Sequence, residues 1–145
     1  MSKSDAFESA LLALIFQNTN IANIGDATGL RGAATAGELF FALHTADPGE
    51  PCTQTTSEVA YTGYARRGVV RSSSGFTITG NSLSPAANVD FPNCNAGTAT
   101  ATHFSVGVAS TGAGLVLYKG TVTPAISIVP GVTPRLIPTT AITED

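Results

Sequence analysis

The chain has 145 residues, of which 43% are hydrophobic and only 12% charged, against roughly 25% charged in an average soluble domain. That length closes a core without a metal or disulfide staple, but so few charges leave a surface that must be rich in Thr and Ser or covered by partners. The net charge of −3 and seven scattered Lys and Arg residues exclude a phosphate-neutralising nucleic-acid binder, and no apolar run approaches the roughly 20 residues that span a bilayer.

Residues 4–17 predict a helix. Phe7, Ala10, Leu11, Leu14 and Ile15 recur at the spacing of one helical face, Ser4 stands at the N-cap, and Asp5 and Glu8 sit where the helix dipole favours negative charge. Leu12, Ala13 and Phe16 widen the apolar face, so the helix is expected to cover one end of the domain's own sheet, with docking of part of it on a neighbouring subunit as the alternative. The acids ahead of this apolar stretch, and the lack of a small-residue cleavage site after it, argue against a signal peptide. Residues 18–37 are rich in glycine and other small residues and read as a loop or contact arm carrying Arg31.

From Glu38 to the end the pattern is β. Residues 39–43 form an apolar strand that stops at the Asp47-Pro48-Gly49 turn signal, and residues 47–58 read as a surface loop. Strands are expected over 59–71, 75–79 and 83–91, the last broken or started by Pro85. The clearest alternation runs over 100–109, with Phe104, Val106 and Val108 inward and His103, Ser105, Gly107 and Ala109 outward. A turn at 110–114 leads into 115–123, making a hairpin, and strands at 125–129 and 136–143 follow. Seven or eight short strands with regular turn signals, and no second helix for crossovers, predict one mostly β domain over residues 1–145. Its organisation is a helix at 4–17, a loop or arm at 18–37 and an antiparallel β-sandwich at 38–145, jelly-roll-like by strand count, with an immunoglobulin-like order as the alternative.

Little in the chain points to catalysis. His44 lies three residues before Asp47, a spacing open to a base and its orienting acid, but a strand-end histidine bonded to nearby backbone explains it more simply. No serine sits in a G-x-S-x-G elbow, the acids are dispersed, and the glycines of GDATGLRG lack a phosphate-loop ending. Asp26 with Thr28, or Asp47 with Glu50, offers too few oxygens for calcium. Cys52 and Cys94 lack zinc-ligand spacing and are expected as reduced thiols, with a disulfide between them as the alternative. No catalytic, cofactor-binding or metal residue is therefore expected. Arg66 and Arg67 are adjacent, so on a strand one points inward and needs Glu38, Glu58 or Asp90, while the other is free for an intersubunit ion pair.

The segments NIGDATGLRGAATAGELFFALHTADPGE, TTSEVAYTGYARRGVVRS and THFSVGVASTGAGLVLYKGTV, with the terminal TAITED, resemble small structural proteins of tailed bacteriophages and prophages that carry tail-fibre labels. Size, β pattern and small-residue content also resemble the jelly-roll cement proteins outside some phage capsids. The resemblance implies a virion structural protein with no enzymatic activity. Its leading expected role is to cement the shell by bridging the major capsid protein and further copies of itself, as a dimer or trimer. A tail-tip or fibre-associated role is the alternative, and a carbohydrate-binding or hydrolytic module a lesser one, weakened by the absence of Trp. Phe7, Leu11, Arg31, Arg66 and Arg67 are the expected protein contacts, and neither nucleic acid nor membrane is an expected partner.

Overall fold

A computed structural model describes residues 3–25 and 29–144. The chain is mostly β and antiparallel with one N-terminal helix, as the alternation predicts. Helix α1 (Asp5–Gln17) is followed by β1 (Glu38–His44), β2 (Arg67–Val70), β3 (Phe76–Thr79), β4 (Ser82–Pro85), β5 (Val89–Asp90), β6 (Ala99–Gly107), β7 (Val116–Ile128), β8 (Arg135–Leu136) and β9 (Ile142–Thr143). Contacts group these into two compact units: Met1–Glu38, Val70–Asn88 and Ile137–Asp145 form the first, Leu39–Val69 and Val89–Leu136 the second.

In the first unit α1 packs on the sheet β3-β4-β9. Phe16 meets Phe76 edge-on at 5.1 Å, and Leu12, Leu83 and Ile142 complete the core. The helix is not turned as its spacing suggests. Glu8, Leu12 and Phe16 form the buried row, Leu11 is half-buried and Phe7 is exposed. Nearly every side of DAFESALLALIFQ is apolar, so tertiary packing chose the stripe that carries the large Phe16 ring. Ser4 holds the N-cap position, but only its carbonyl serves, accepting from Phe7 and Glu8 N–H at 2.9 and 3.0 Å; its side chain makes no capping bond.

The helix ends at Asn18, in the left-handed region at φ 57°. The Asn18 amide then pins the arm, donating to the Ala33 carbonyl at 2.8 Å and accepting from its N–H at 2.7 Å. Ile21 and Leu30 exchange backbone bonds at 2.8 and 2.9 Å, which ties residues 18–25 to residues 29–37; Asp26 and Thr28 lie outside the described residues.

No basic residue occupies the last turn of α1. Arg71, far along the chain, supplies the charge: its guanidinium donates to the carbonyls of Ile15 (2.6 Å), Leu14 (2.8 Å) and Ala36 (3.2 Å). Leu14 and Ile15 are among the carbonyls a helix end leaves without an internal partner, and they carry the negative pole of its dipole. Arg71→Ala is therefore expected to lower unfolding free energy by about 2–3 kcal/mol in urea titrations, while Arg71→Lys, a point charge without the planar fork, recovers only part. An Arg71→Ala protein that unfolds at the wild-type midpoint would refute this account of the helix end.

The second unit is built on the sheet β2-β1-β6-β7 and the small pair β5-β8. The β1–β6 register sets Phe41 and Leu43 opposite Val106 and Phe104 on one face, and Phe40, Ala42 and His44 opposite Gly107, Ser105 and His103 on the other. Phe41 and Phe104 stack at 6.3 Å, and Gly120 opposite Phe104 leaves room for its ring. Phe104 and Val106 are buried as their alternation predicts, but Ser105 and Gly107 are buried too, and Val108 is exposed. The cause is the 47–58 segment: it is not wholly a surface loop, because Gln54 is fully buried against that second face. A strand covered on both faces reads as the unbroken apolar run of β1.

Three other expected strands are redrawn. Residues 59–66 are irregular: Tyr64 N–H turns back onto the Tyr61 carbonyl at 3.0 Å, Gly63 sits at φ 102°, and the two tyrosine rings meet edge-on at 5.3 Å. Residues 83–91 split into β4 and β5, which belong to different sheets, and 136–143 splits into β8 and β9 at the Ile137–Thr140 turn. Conversely, 115–123 and 125–129 join into the single edge strand β7, whose register against β6 shifts between Ala101 and His103, opposite residues 122–125.

Candidate functional site

The second unit gathers its most constrained side chains beneath the loop that joins β6 to β7. Glu58 and Arg66 form a two-point ion pair, with Nε to Oε1 at 2.7 Å and Nη2 to Oε2 at 2.8 Å. Arg66 also donates from Nη1 to the Ala109 carbonyl at 3.0 Å and from Nη2 to the Gly112 carbonyl at 2.8 Å. Only 3% of its side chain is exposed, so Arg66 is the inward arginine and Glu58 its partner. It is a positioning residue inside the fold, and its guanidinium is not a free surface contact. Arg67, the next residue, is exposed at the start of β2, and among the described residues it enters no ion pair.

Tyr64 extends this clasp: its hydroxyl donates to Glu58 Oε1 at 3.0 Å and accepts from Leu43 N–H at 3.1 Å. Burial, more than its neighbours, pushes the Tyr64 phenol far above its ordinary value. Tyr61 donates to the Pro92 carbonyl at 2.7 Å and is pushed up to about 12, again chiefly by burial. On the other side of the loop, Gln54 accepts from Ala109 N–H at 2.9 Å and donates to the Phe40 carbonyl at 3.2 Å. A Cβ at Gly107 or at Gly114 would strike the Gln54 side chain, so these two glycines shape its slot. Arg66 and Gln54 together fix the loop's backbone, and the loop's ends present Val108 and Leu115 to solvent, 48% and 63% exposed. An apolar pair on a clamped, uncharged loop is suited to docking on another protein at little entropic cost.

His44 is fully buried at the end of β1. Its Nδ1 lies 2.8 Å from the Thr56 carbonyl, which only accepts, so Nδ1 carries the proton; Nε2, 2.7 Å from Ser105 Oγ, then accepts from that hydroxyl. The orienting group is thus a backbone carbonyl. Asp47 instead pairs with Lys119 at 2.8 Å, and Glu50 joins the same ammonium at 3.4 Å, beside a groove of about 240 Å³ that includes Cys52. The Lys119 hydrogen bond holds the Asp47 carboxyl below its ordinary range. Both cysteines are free; Cys94 is buried with its thiol directed at the Ala96 and Gly97 carbonyls.

Burial lowers the His44 pKa below its ordinary 6.5; the Thr56 bond and Glu58 oppose the shift, while Arg66 and His103 add to it. The native state therefore binds fewer protons than the unfolded chain between the lowered value and 6.5. The stability this contributes is complete above 6.5 and is lost as pH falls through the lowered value. Unfolding midpoints are expected to drop on acidification within this window, and His44→Gln should flatten that part of the profile. An unchanged slope in the variant would assign it to other groups.

Of the remaining expected contacts, Arg31 is exposed on the ordered arm, next to Leu30 at 41% exposure, and Phe7 is 37% exposed on the outer side of α1. Among the described residues no helix is long and apolar enough to cross a membrane.

A family model described as Podophage GP4 fiber I protein gp80 matches residues 2–143 of the chain. No curated protein matches it.

Proposed function

The chain belongs to this fiber I family and is a phage structural protein, and from that premise we propose that it serves as a fibre-associated subunit of the tail, acting by docking and not by catalysis. The observation that carries this reading is the family match over nearly the whole chain, joined to a β6–β7 loop held rigid from beneath with Val108 and Leu115 outward. The charge pattern supports it. Each acid of the second unit faces a cation, Glu58 with Arg66, Asp90 with Arg135, Asp47 and Glu50 with Lys119, so that unit offers a neutral, Thr- and Ser-rich surface on which copies meet without repulsion. Self-association as a dimer or trimer is part of the proposal, with Phe7, Leu11, Arg31 and Arg67 as its further contact residues. Repetition in the particle then makes up for weak individual contacts.

The shell-cement role, with the major capsid protein as partner, needs the same kind of surface and is separated by stoichiometry. Quantitative mass spectrometry of purified particles against the major capsid protein is expected to give a few dozen copies or fewer. A ratio corresponding to a simple fraction of all capsid subunits would overturn the tail reading and make cementing the function.

A further inference from the structure

Asp5 and Glu8 are the only charged residues of α1, and Glu8 is buried, so no charge marks the helix surface from Ala6 to Gln17. With Glu8, Leu12 and Phe16 turned inward, the helical period puts Phe7, Ala10 and Leu14 on the opposite side, flanked by Leu11. Phe7 is 37% exposed and the other three are half-buried, so an apolar stripe reaches solvent along the outer side of the helix. A helix that is apolar all round belongs in an interior, and the sheet β3-β4-β9 supplies that interior on one side.

The two ends of this stripe carry opposite charge. At the N-terminal end Asp5 is exposed and, among the described residues, enters no ion pair, while nearby Lys3 is paired with Glu144 at 3.1 Å. At the C-terminal end stand Arg71, seated on the Leu14 and Ile15 carbonyls, and Arg31, which is exposed and likewise in no ion pair. Arg31 is held at that end because Asn18 and Asn20, just past the helix, accept from the backbone N–H groups of Ala33 and Gly32 at 2.7 and 2.9 Å. Two guanidiniums outweigh the roughly half charge of a helix C-terminus, so this end is positive.

This charge pattern selects the occupant of the stripe and its direction. Copies of α1 set side by side in the same sense, as in a three-fold bundle of parallel helices, bring Asp5 against Asp5 and Arg31 against Arg31. Copies run antiparallel about a two-fold axis bring Asp5 of each against Arg31 of the other, and Phe7 against Leu14. Ala10 then falls next to the axis, where a small side chain permits a close crossing. We propose that the outer face of α1 is the self-association surface: two copies of the chain pair their Phe7–Leu14 stripes antiparallel, as a two-fold dimer held in register by reciprocal Asp5–Arg31 ion pairs. The proposal rests on the self-association named above and fixes its order at two. A 13-residue helix is about 20 Å long, and a pair of that length buries less than the roughly 800 Å² per partner of a standard interface, so Kd is expected on the order of 10–100 μM.

The test is sedimentation equilibrium of the purified full chain from well below to well above that concentration. Monomer and dimer are expected, and nothing larger. Phe7→Glu, at an exposed position, is expected to weaken the dimer at least about tenfold with the thermal midpoint unchanged. Asp5→Lys should weaken it about fivefold at low salt, and adding Arg31→Glu should restore it, which a mere change within the subunit would not do. A chain that stays monomeric at every concentration, a dimer that Phe7→Glu leaves intact, or a charge swap that fails to restore association would each overturn the assignment. A trimer would also overturn it, while leaving self-association itself in place. The copy number per particle is a separate measurement, so failure of the tail reading and failure of this interface are told apart.

Discussion

Glu58→Gln is expected to cost about 3–5 kcal/mol of unfolding free energy, because it leaves a buried guanidinium without its counter-charge. Arg66 cannot escape the loss by turning to solvent, since its side chain is 3% exposed and its other donors are engaged with Ala109 and Gly112. Nor can it shed its proton, as an arginine stays charged in a protein. The consequence extends to the β6–β7 loop, because the arginine that loses Glu58 is the one that holds residues 109 and 112. Amide exchange at 109–114 is expected to accelerate more than exchange in the paired centre of β6. Replacing both partners, as Glu58→Gln with Arg66→Met, is expected to cost less than Glu58→Gln alone, since an absent charge needs no compensation. Chemical denaturation of the three proteins decides the matter: a single variant within about 0.5 kcal/mol of wild type would place the pair among surface ion pairs of little worth.

Much of this arrangement was open to sequence reasoning, and where it was not, the reasons are physical. The core hairpin was legible because β6 and β7 carry alternation and a glycine-rich turn between them, and those are local signals. The helix span was legible and its face was not: the Phe7–Leu11 stripe is apolar, the buried stripe of Leu12 and Phe16 carries Glu8, and only the position of Phe76, sixty residues on, chose the second. Residues 59–66 looked like a strand because Tyr61 and Tyr64 have strand-forming side chains, yet Gly63 at φ 102° lets both rings turn to the same side. Glu58 stood among the partners named for an inward arginine, while the choice between Arg66 and Arg67 depended on a parity that the sequence alone does not set. Gln54 gave no signal of its own within DPGEPCTQTTSE. The signal lay elsewhere, in Gly107 at the end of an otherwise well-formed strand, since a glycine there marks the close approach of another group.

Gly107→Ala is accordingly the second change expected to have a large effect, about 3–4 kcal/mol, though it adds one methyl group. The new carbon would meet the Gln54 side chain and the Leu115 carbonyl, and the latter is backbone paired with Val108 N–H at 3.2 Å. Gln54 would have to leave its slot, stranding Ala109 N–H and the Phe40 carbonyl, and the strand ends at Val108 and Leu115 would spread. Gly114→Ala, on the far side of the same amide, should act alike. Gln54→Ala alone is expected to cost less, about 2 kcal/mol, because it removes the peg without forcing the strands apart. The pair Gly107→Ala with Gln54→Ala should then be less destabilised than the sum of its parts, since the methyl group no longer has a side chain to displace. Strict additivity would mean that the collision with the Leu115 backbone is the whole cost and that the slot holds nothing in place. If the coupling is found, the same variants test what the slot contributes to the proposed docking: a particle carrying folded Gly107→Ala subunits should lose the contacts proposed for Val108 and Leu115 at temperatures well below unfolding.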